Sequence, residues 1–148
     1  MTESNMATKE NEAKKDFLKR YEVLLRREQE IEQEIAEIRS RYTGRAITYS
    51  DMPKGTEQHD LSDYVAEAGL LFSTLDEVRR NLYRQYRAIS DSIESMQTDD
   101  EREKELLRLK YLRGYTWEEV AVIMNYDIRH IFRIHGNALL NFHVIECQ

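Results

Sequence analysis

"TWEEVAVIMNYDIRHIFRIHG", residues 116–136, holds two helix starts in quick succession. Thr116 followed three residues on by Glu119 is a capping box, which satisfies two of the backbone N–H groups a helix start leaves open. Trp117, Val120, Ala121, Ile123 and Met124 then supply the apolar positions of a short helix. Asn125 and Tyr126 make a corner, and Asp127 is placed to cap a second helix running to about Phe142, with Ile128, Ile131, Ile134, Ala138 and Leu139 as its apolar positions. Upstream, Thr98 with Glu101 reads as another capping box ahead of Leu106, Leu107, Leu109 and Leu112, and Gly114 stands where a helix C-cap needs a left-handed residue. Three short helices with two tight corners predict a compact trihelical unit over residues 98–148.

The corner also meets the requirements of a helix-turn-helix. Its first helix has a face to bury, the corner is short, the second helix is capped, and donors follow on the early turns. With Ile131 and Ile134 turned inward, Arg129, His130 and Arg133 are expected on the outer side. Arginine grips a guanine edge in bidentate fashion or simply holds phosphate. Asn137 and Thr116 complete the candidate DNA-binding set. Helical corners in ordinary bundles have the same look, so a purely structural role stays open at this point.

Two long helices precede this unit. From about Lys14 to Tyr42, Phe17, Tyr21, Leu24, Ile31, Ile35, Ile38 and Tyr42 recur at steps of three and four, with Glu28 alone interrupting the seam. That helix would be about 40 to 45 Å long. Leu61, Tyr64, Ala68, Leu71, Leu75, Val78 and Leu82 keep the same repeat, after which the apolar positions shift to Tyr86, Ile89, Ile93 and Met96, a stutter. Between them lies residues 43–60, with the only proline and two of the five glycines, expected as a loop. The expected layout is all-α: a disordered tail over 1–12, a long antiparallel helical hairpin over 13–97, and the trihelical domain. A two-helix hairpin buries little by itself, so a homodimer or another protein contact is expected.

Charge bears on the partner. The chain has 22 Lys+Arg and 28 Asp+Glu, a net −6. Residues 1–100 hold 15 basic and 21 acidic side chains, whereas 101–148 hold seven of each. From Ile128 to His143 there are two arginines, three histidines and no acid. The potential that meets DNA is local, so acidity elsewhere does not exclude a DNA-reading helix. It does imply weak, salt-sensitive binding by a lone copy.

Other classes find little support. There is no Gly-rich phosphate loop, and neither the serines nor Cys147 has a recognisable catalytic arrangement, so no enzyme is expected. Trp117 and Tyr111 are read as core rather than as base-stacking platforms. His135 falls roughly opposite His130, which argues against a metal site, and no cofactor is expected. Gly136 in mid-helix reads either as a close-approach point or as a tolerated weakness. A single cysteine beside the C-terminus fits a reduced, cytoplasmic setting. The first residues lack the apolar stretch of a signal peptide, and no apolar run suits a membrane span.

"LLRLKYLRGYTWEEVAVIMNYDIRHIFRIHGNALLNF", residues 106–142, resembles the helix-turn-helix of sigma-70 region 4, in the form found in small phage and prophage proteins of Gram-positive bacteria, the RinA/ArpU-type late-transcription regulators and a related uncharacterised family. "YSDMPKGTEQHDLSDY", residues 49–64, is similar to a segment of that same family. The resemblance implies that residues 116–124 are the supporting helix and 128–141 the recognition helix, with Arg129, His130 and Arg133 facing DNA. It departs at the cap, where Asp127 stands in place of the usual Ser or Thr and sets a negative charge near the phosphates. It also admits a contact with RNA polymerase. The expected function is thus a phage-type regulator that binds double-stranded promoter DNA. The alternatives are an interaction module docking on RNA polymerase or another host factor, and a small-terminase-like packaging subunit.

Overall fold

The computed structural model describes residues 2–47 and 57–145, with side chains described over 8–42 and 62–145. Every regular element among them is helical: α1 (Thr2–Ile47), α2 (Glu57–Glu94), α3 (Glu101–Leu107) running into a π-helical turn (Arg108–Leu112), α4 (Trp117–Met124) and α5 (Ile128–Asn141). Scarce Gly and Pro, and long runs of Glu, Lys, Arg and Leu, leave the chain little else to form. No helix among the described residues is long and apolar enough to cross a membrane. The centre of the expected loop, residues 48–56, lies outside the described residues, while helix occupies 43–47 and 57–60 on its two sides.

Helix α1 starts at Thr2, inside the stretch expected as a tail. Residues 2–12 contain no Gly or Pro and several good helix formers, and just beyond them the helix is anchored. Lys14 is buried, and its Nζ donates to the Leu139 carbonyl over 2.7 Å. That carbonyl belongs to the last turn of α5, where carbonyls lack helical partners and a cation suits the helix dipole.

The chain divides into two compact units, one made of residues 1–23 with 82–148, the other of residues 24–81. The first has one apolar core, with Phe17 and Leu18 of α1, Ile89 and Ile93 of α2, Leu106 and Leu107 of α3, Val120 of α4, and Ile131 and Ala138 of α5 all buried. Phe17 meets Phe142 at 6.1 Å between ring centroids, and Tyr21 meets Tyr86 at 5.6 Å. Gln85 adds a hydrogen bond to the Phe17 carbonyl. Buried Glu103 is satisfied by the Thr98 hydroxyl at 2.7 Å and the Asn141 amide at 2.9 Å. Ser92 likewise donates to Ala88 and accepts the Ile145 N–H.

In the second unit Ile31, Ile35 and Ile38 of α1 and Ala68, Leu75 and Val78 of α2 are buried. Tyr42 meets Tyr64 at 5.3 Å. Arg41 and the Tyr42 hydroxyl both bond Glu67. Arg79 spans Glu28 at 2.9 Å and Glu32 at 2.6 Å. Glu28, the residue that breaks the apolar seam of α1, is therefore held by an arginine from the other helix.

Capping follows the sequence at two of three starts. α4 carries the full box, Glu119 N–H to the Thr116 hydroxyl and Thr116 N–H to the Glu119 carboxylate. Asp127 caps α5 by accepting the Arg129 N–H at 2.9 Å. The expected Thr98–Glu101 box does not form. Asp100 caps α3 instead, because the Thr98 hydroxyl donates to Glu103 and accepts the Asp100 N–H. Gly114 (φ 76°) and Asn125 (φ 59°) take left-handed conformations at the two corners, which a side chain other than Asn or Asp would resist.

Candidate nucleic-acid interface

Helix α5 is strongly two-sided. Ile131, Ile134, His135, Ala138 and Leu139 are buried. Arg129, Phe132, Arg133, Gly136, Asn137 and Leu140 are exposed and, at three- and four-residue spacings, form one continuous outer stripe. Arg129 and Arg133 stand one turn apart on it, and neither side chain has an ion pair or hydrogen bond among the described residues. Their situation contrasts with Arg79, Arg102 and Arg108, each committed to a carboxylate. Two large apolar side chains share the stripe, Phe132 at 48% and Leu140 at 63% exposure. A Cβ added at Gly136 would meet nothing within 4 Å, so no neighbour in the chain requires a glycine there.

Of the five candidate residues, Arg129, Arg133 and Asn137 are gathered on this face. His130 is not. It is half-buried, with its Nε2 3.4 Å from Arg102 Nη1 and its ring 4.9 Å from that of Tyr126. A guanidinium only donates, so Nε2 accepts and Nδ1 is left as the ring's donor. Arg102 also grips Asp100 through both oxygens, reaches the Tyr126 hydroxyl at 3.3 Å, and lies 5.5 Å over the Tyr126 ring. Its hydrogen bonds hold the Asp100 carboxyl below the usual carboxylate range. His130 thus belongs to a clasp that ties the start of α3 to the corner before α5. Arg102 and Tyr126 were missed by sequence reasoning, since nothing local marks a contact made across more than twenty residues.

Thr116 is exposed, but its hydroxyl is engaged by the Glu119 N–H and the Glu119 carboxylate lies beside it. That negative charge disfavours a phosphate at the same spot. Trp117 is half-buried between Phe132 (5.2 Å) and His135 (4.7 Å), and Tyr111 is buried with its hydroxyl 2.7 Å from His135 Nε2. Both aromatics belong to the core, Tyr111 brought there by the π-helical turn. Burial, with Lys15, Lys110 and Lys19 nearby, pushes the His135 imidazole down to about 4 from an ordinary 6.5. Burial likewise raises the Tyr111 phenol. His135 and Tyr111 are therefore neutral partners at physiological pH. Among the described residues no three His, Cys, Asp or Glu side chains converge as a metal ion would need.

No protein-family model, curated protein or solved structure matches this chain. Divided by compact units, the charge is spread differently from the split at residue 100. The unit holding α5 has 14 basic and 16 acidic side chains, a balance of −2, and the other has 8 and 12, a balance of −4. The cationic character of the α5 face is a matter of placement rather than of surplus.

Proposed function

We propose that this chain is a transcription regulator of phage type that binds double-stranded promoter DNA, with α4 and α5 as a helix-turn-helix and α5 in the major groove. The observation that carries the reading is the pair Arg129 and Arg133, exposed one turn apart and unpartnered among the described residues, on a helix whose first turn Asp127 fixes. Two guanidiniums without an internal carboxylate suit guanine edges or phosphates. Phe132 and Leu140 offer apolar contact to thymine methyls, and Gly136 lets the sugar-phosphate backbone come close. His130 serves the face indirectly, by holding the corner. The long helices form an antiparallel hairpin for self-association, a reading supported by Val65 and Phe72, two turns apart on α2 and both exposed. Dimerisation would bring two α5 helices to half-sites about one DNA turn apart.

The test is binding to a tiled genomic library at low and moderate salt. A peak upstream of a gene block that disappears in Arg129→Ala/Arg133→Ala supports the reading. Flat profiles for both proteins at low salt would sink it. One observation favours a second reading, in which α4 and α5 scaffold a contact with RNA polymerase or another host protein. Val122 is 80% exposed on α4 beside Ile123, Glu118 and Glu119, a mixed apolar and acidic surface suited to a protein. A host partner retained by the double-arginine variant would support that alternative.

A further inference from the structure

The outer stripe of α5 has a flank, and a second set of cations stands along it. Going round the helix from Arg129 and Gly136, the next positions are Phe132, then Leu139 and His135. Trp117 packs on this flank, touching both Phe132 and His135. Lys110 Nζ lies 5.0 Å over the Trp117 ring and donates to the Tyr115 carbonyl. From the same side comes α1, pinned by Lys14 on the Leu139 carbonyl and by Phe17 on Phe142. This docking carries Lys15 and Lys19, one turn apart on α1, to the neighbourhood of His135. Their charges and that of Lys110 bear on its imidazole. All these residues lie within one compact unit.

Lys19 is exposed and has no ion pair among the described residues. Lys15 pairs only with Glu12, over 3.2 Å and with 60% of the Glu12 side chain in solvent. Such a pair is worth little in water and yields to a stronger anion. Lys110 is half-buried, its ammonium resting on an aromatic ring with no carboxylate paired to it among the described residues. Three ammoniums thus gather around His135, on the flank of the helix whose outer stripe shows two unpaired guanidiniums, with the Glu22 carboxylate close enough to act on Tyr111.

We propose that Lys15, Lys19 and Lys110 are a phosphate-binding border of the α5 face, with the start of α1 acting as an arm laid along one strand of duplex DNA. The proposal rests on α5 being the DNA-contacting helix. Its consequence is a division of labour. The α5 stripe would choose sequence, and the lysine border would supply affinity for any duplex, which a unit of slight net negative charge otherwise lacks.

Salt dependence separates the two. Each phosphate contact contributes roughly 0.9 to the slope of log affinity against log salt. Labelled duplexes of about 30 base pairs, random in sequence or carrying a selected site, would be titrated with the full chain between about 50 and 200 mM salt. Lys15→Gln/Lys19→Gln/Lys110→Gln is expected to lower the slope by roughly 2 to 3 on every duplex while keeping the sequence preference. Arg129→Ala/Arg133→Ala is expected to lose the preference and keep the lysine-dependent slope. If the wild-type chain binds and the triple variant has the same slope, the border is refuted and the DNA-binding reading survives. If the wild-type chain binds no duplex at low salt, both fall. A second readout needs no DNA. Removing three ammoniums from around His135 should raise its titration midpoint by NMR, and an unmoved midpoint would show that the cluster is not there.

Discussion

His135 makes the stability of its unit depend on pH in a way that can be worked out in advance. In the unfolded chain its imidazole titrates near 6.5, whereas in the fold burial and the surrounding lysines hold it to about 4. As pH falls below 6.5, the unfolded chain takes up a proton that the folded chain still refuses. Stability is therefore intact above 6.5, declines below it, and levels off near 4, where the folded imidazole also protonates. At 1.36 kcal/mol per pH unit the full interval is worth about 3 kcal/mol, and about 2 kcal/mol is lost by pH 5. Carboxylates titrate over part of the same range, so the measurement is a difference. His135→Gln removes the titration and keeps a polar group facing the Tyr111 hydroxyl. Urea unfolding followed by the fluorescence of Trp117, the chain's only tryptophan, reports this unit directly, since the His135 and Trp117 rings are 4.7 Å apart. The wild-type curve should fall below the variant's by about 2 to 3 kcal/mol between pH 7 and 4, after alignment at pH 7. Parallel curves would show that His135 titrates normally, and the account of its burial would be wrong.

Other substitutions test other parts of the fold. Gly136→Ala should stabilise the unit by about 0.5 to 1 kcal/mol, because the added methyl meets nothing, and should weaken DNA binding if the backbone comes close there. Gly114→Ala meets equally open space but must hold a left-handed φ, so a loss of about 1 kcal/mol is expected in thermal or urea unfolding. Lys14→Met leaves the Leu139 carbonyl without its buried partner, at a cost of about 1 to 3 kcal/mol. Hydrogen exchange should then quicken over the start of α1, and unchanged protection there would count against the anchor. Glu28→Leu completes the apolar seam of the second unit and gives up one ion pair of Arg79, which keeps Glu32. A net gain of about 1 kcal/mol is expected, and a loss would show that the Arg79 bridge matters more than the seam.

Much of this was legible in the chain itself. Thr116, Glu119 and Asp127 announce the starts of α4 and α5, and the alternation of Ile131 and Ile134 with Arg129 and Arg133 orients α5, because caps and faces are local properties. The stutter after Leu82 falls where the chain passes from one compact unit to the other. What that shift meant was not legible. Leu18, outside the heptad seam, is fully buried, and Lys14 is buried beside it, because the start of α1 meets both α2 and α5 and needs a broader face than a coiled-coil stripe. His130 was expected among the outward donors on helical phase alone. Its true surroundings depend on Arg102 and Tyr126, whose approach is a tertiary event. Lys15 and Lys19 look like any solvated face in the sequence, since their place beside α5 exists only once α1 is docked.

The discontinuity of the unit that holds α5 sets an order on the making of the protein. Residues 24–81 are one unbroken stretch and can close on themselves while the rest of the chain is still being synthesised. Residues 1–23 leave the ribosome before this stretch yet belong with residues 82–148, which leave after it. Phe17, Leu18 and Lys14 must wait for Phe142 and Leu139, a separation of well over a hundred residues, the kind of distant pairing that slows folding. The face that we assign to DNA therefore becomes whole only after α5 has emerged, and a chain cut short before that point would carry the arm without the recognition helix it borders.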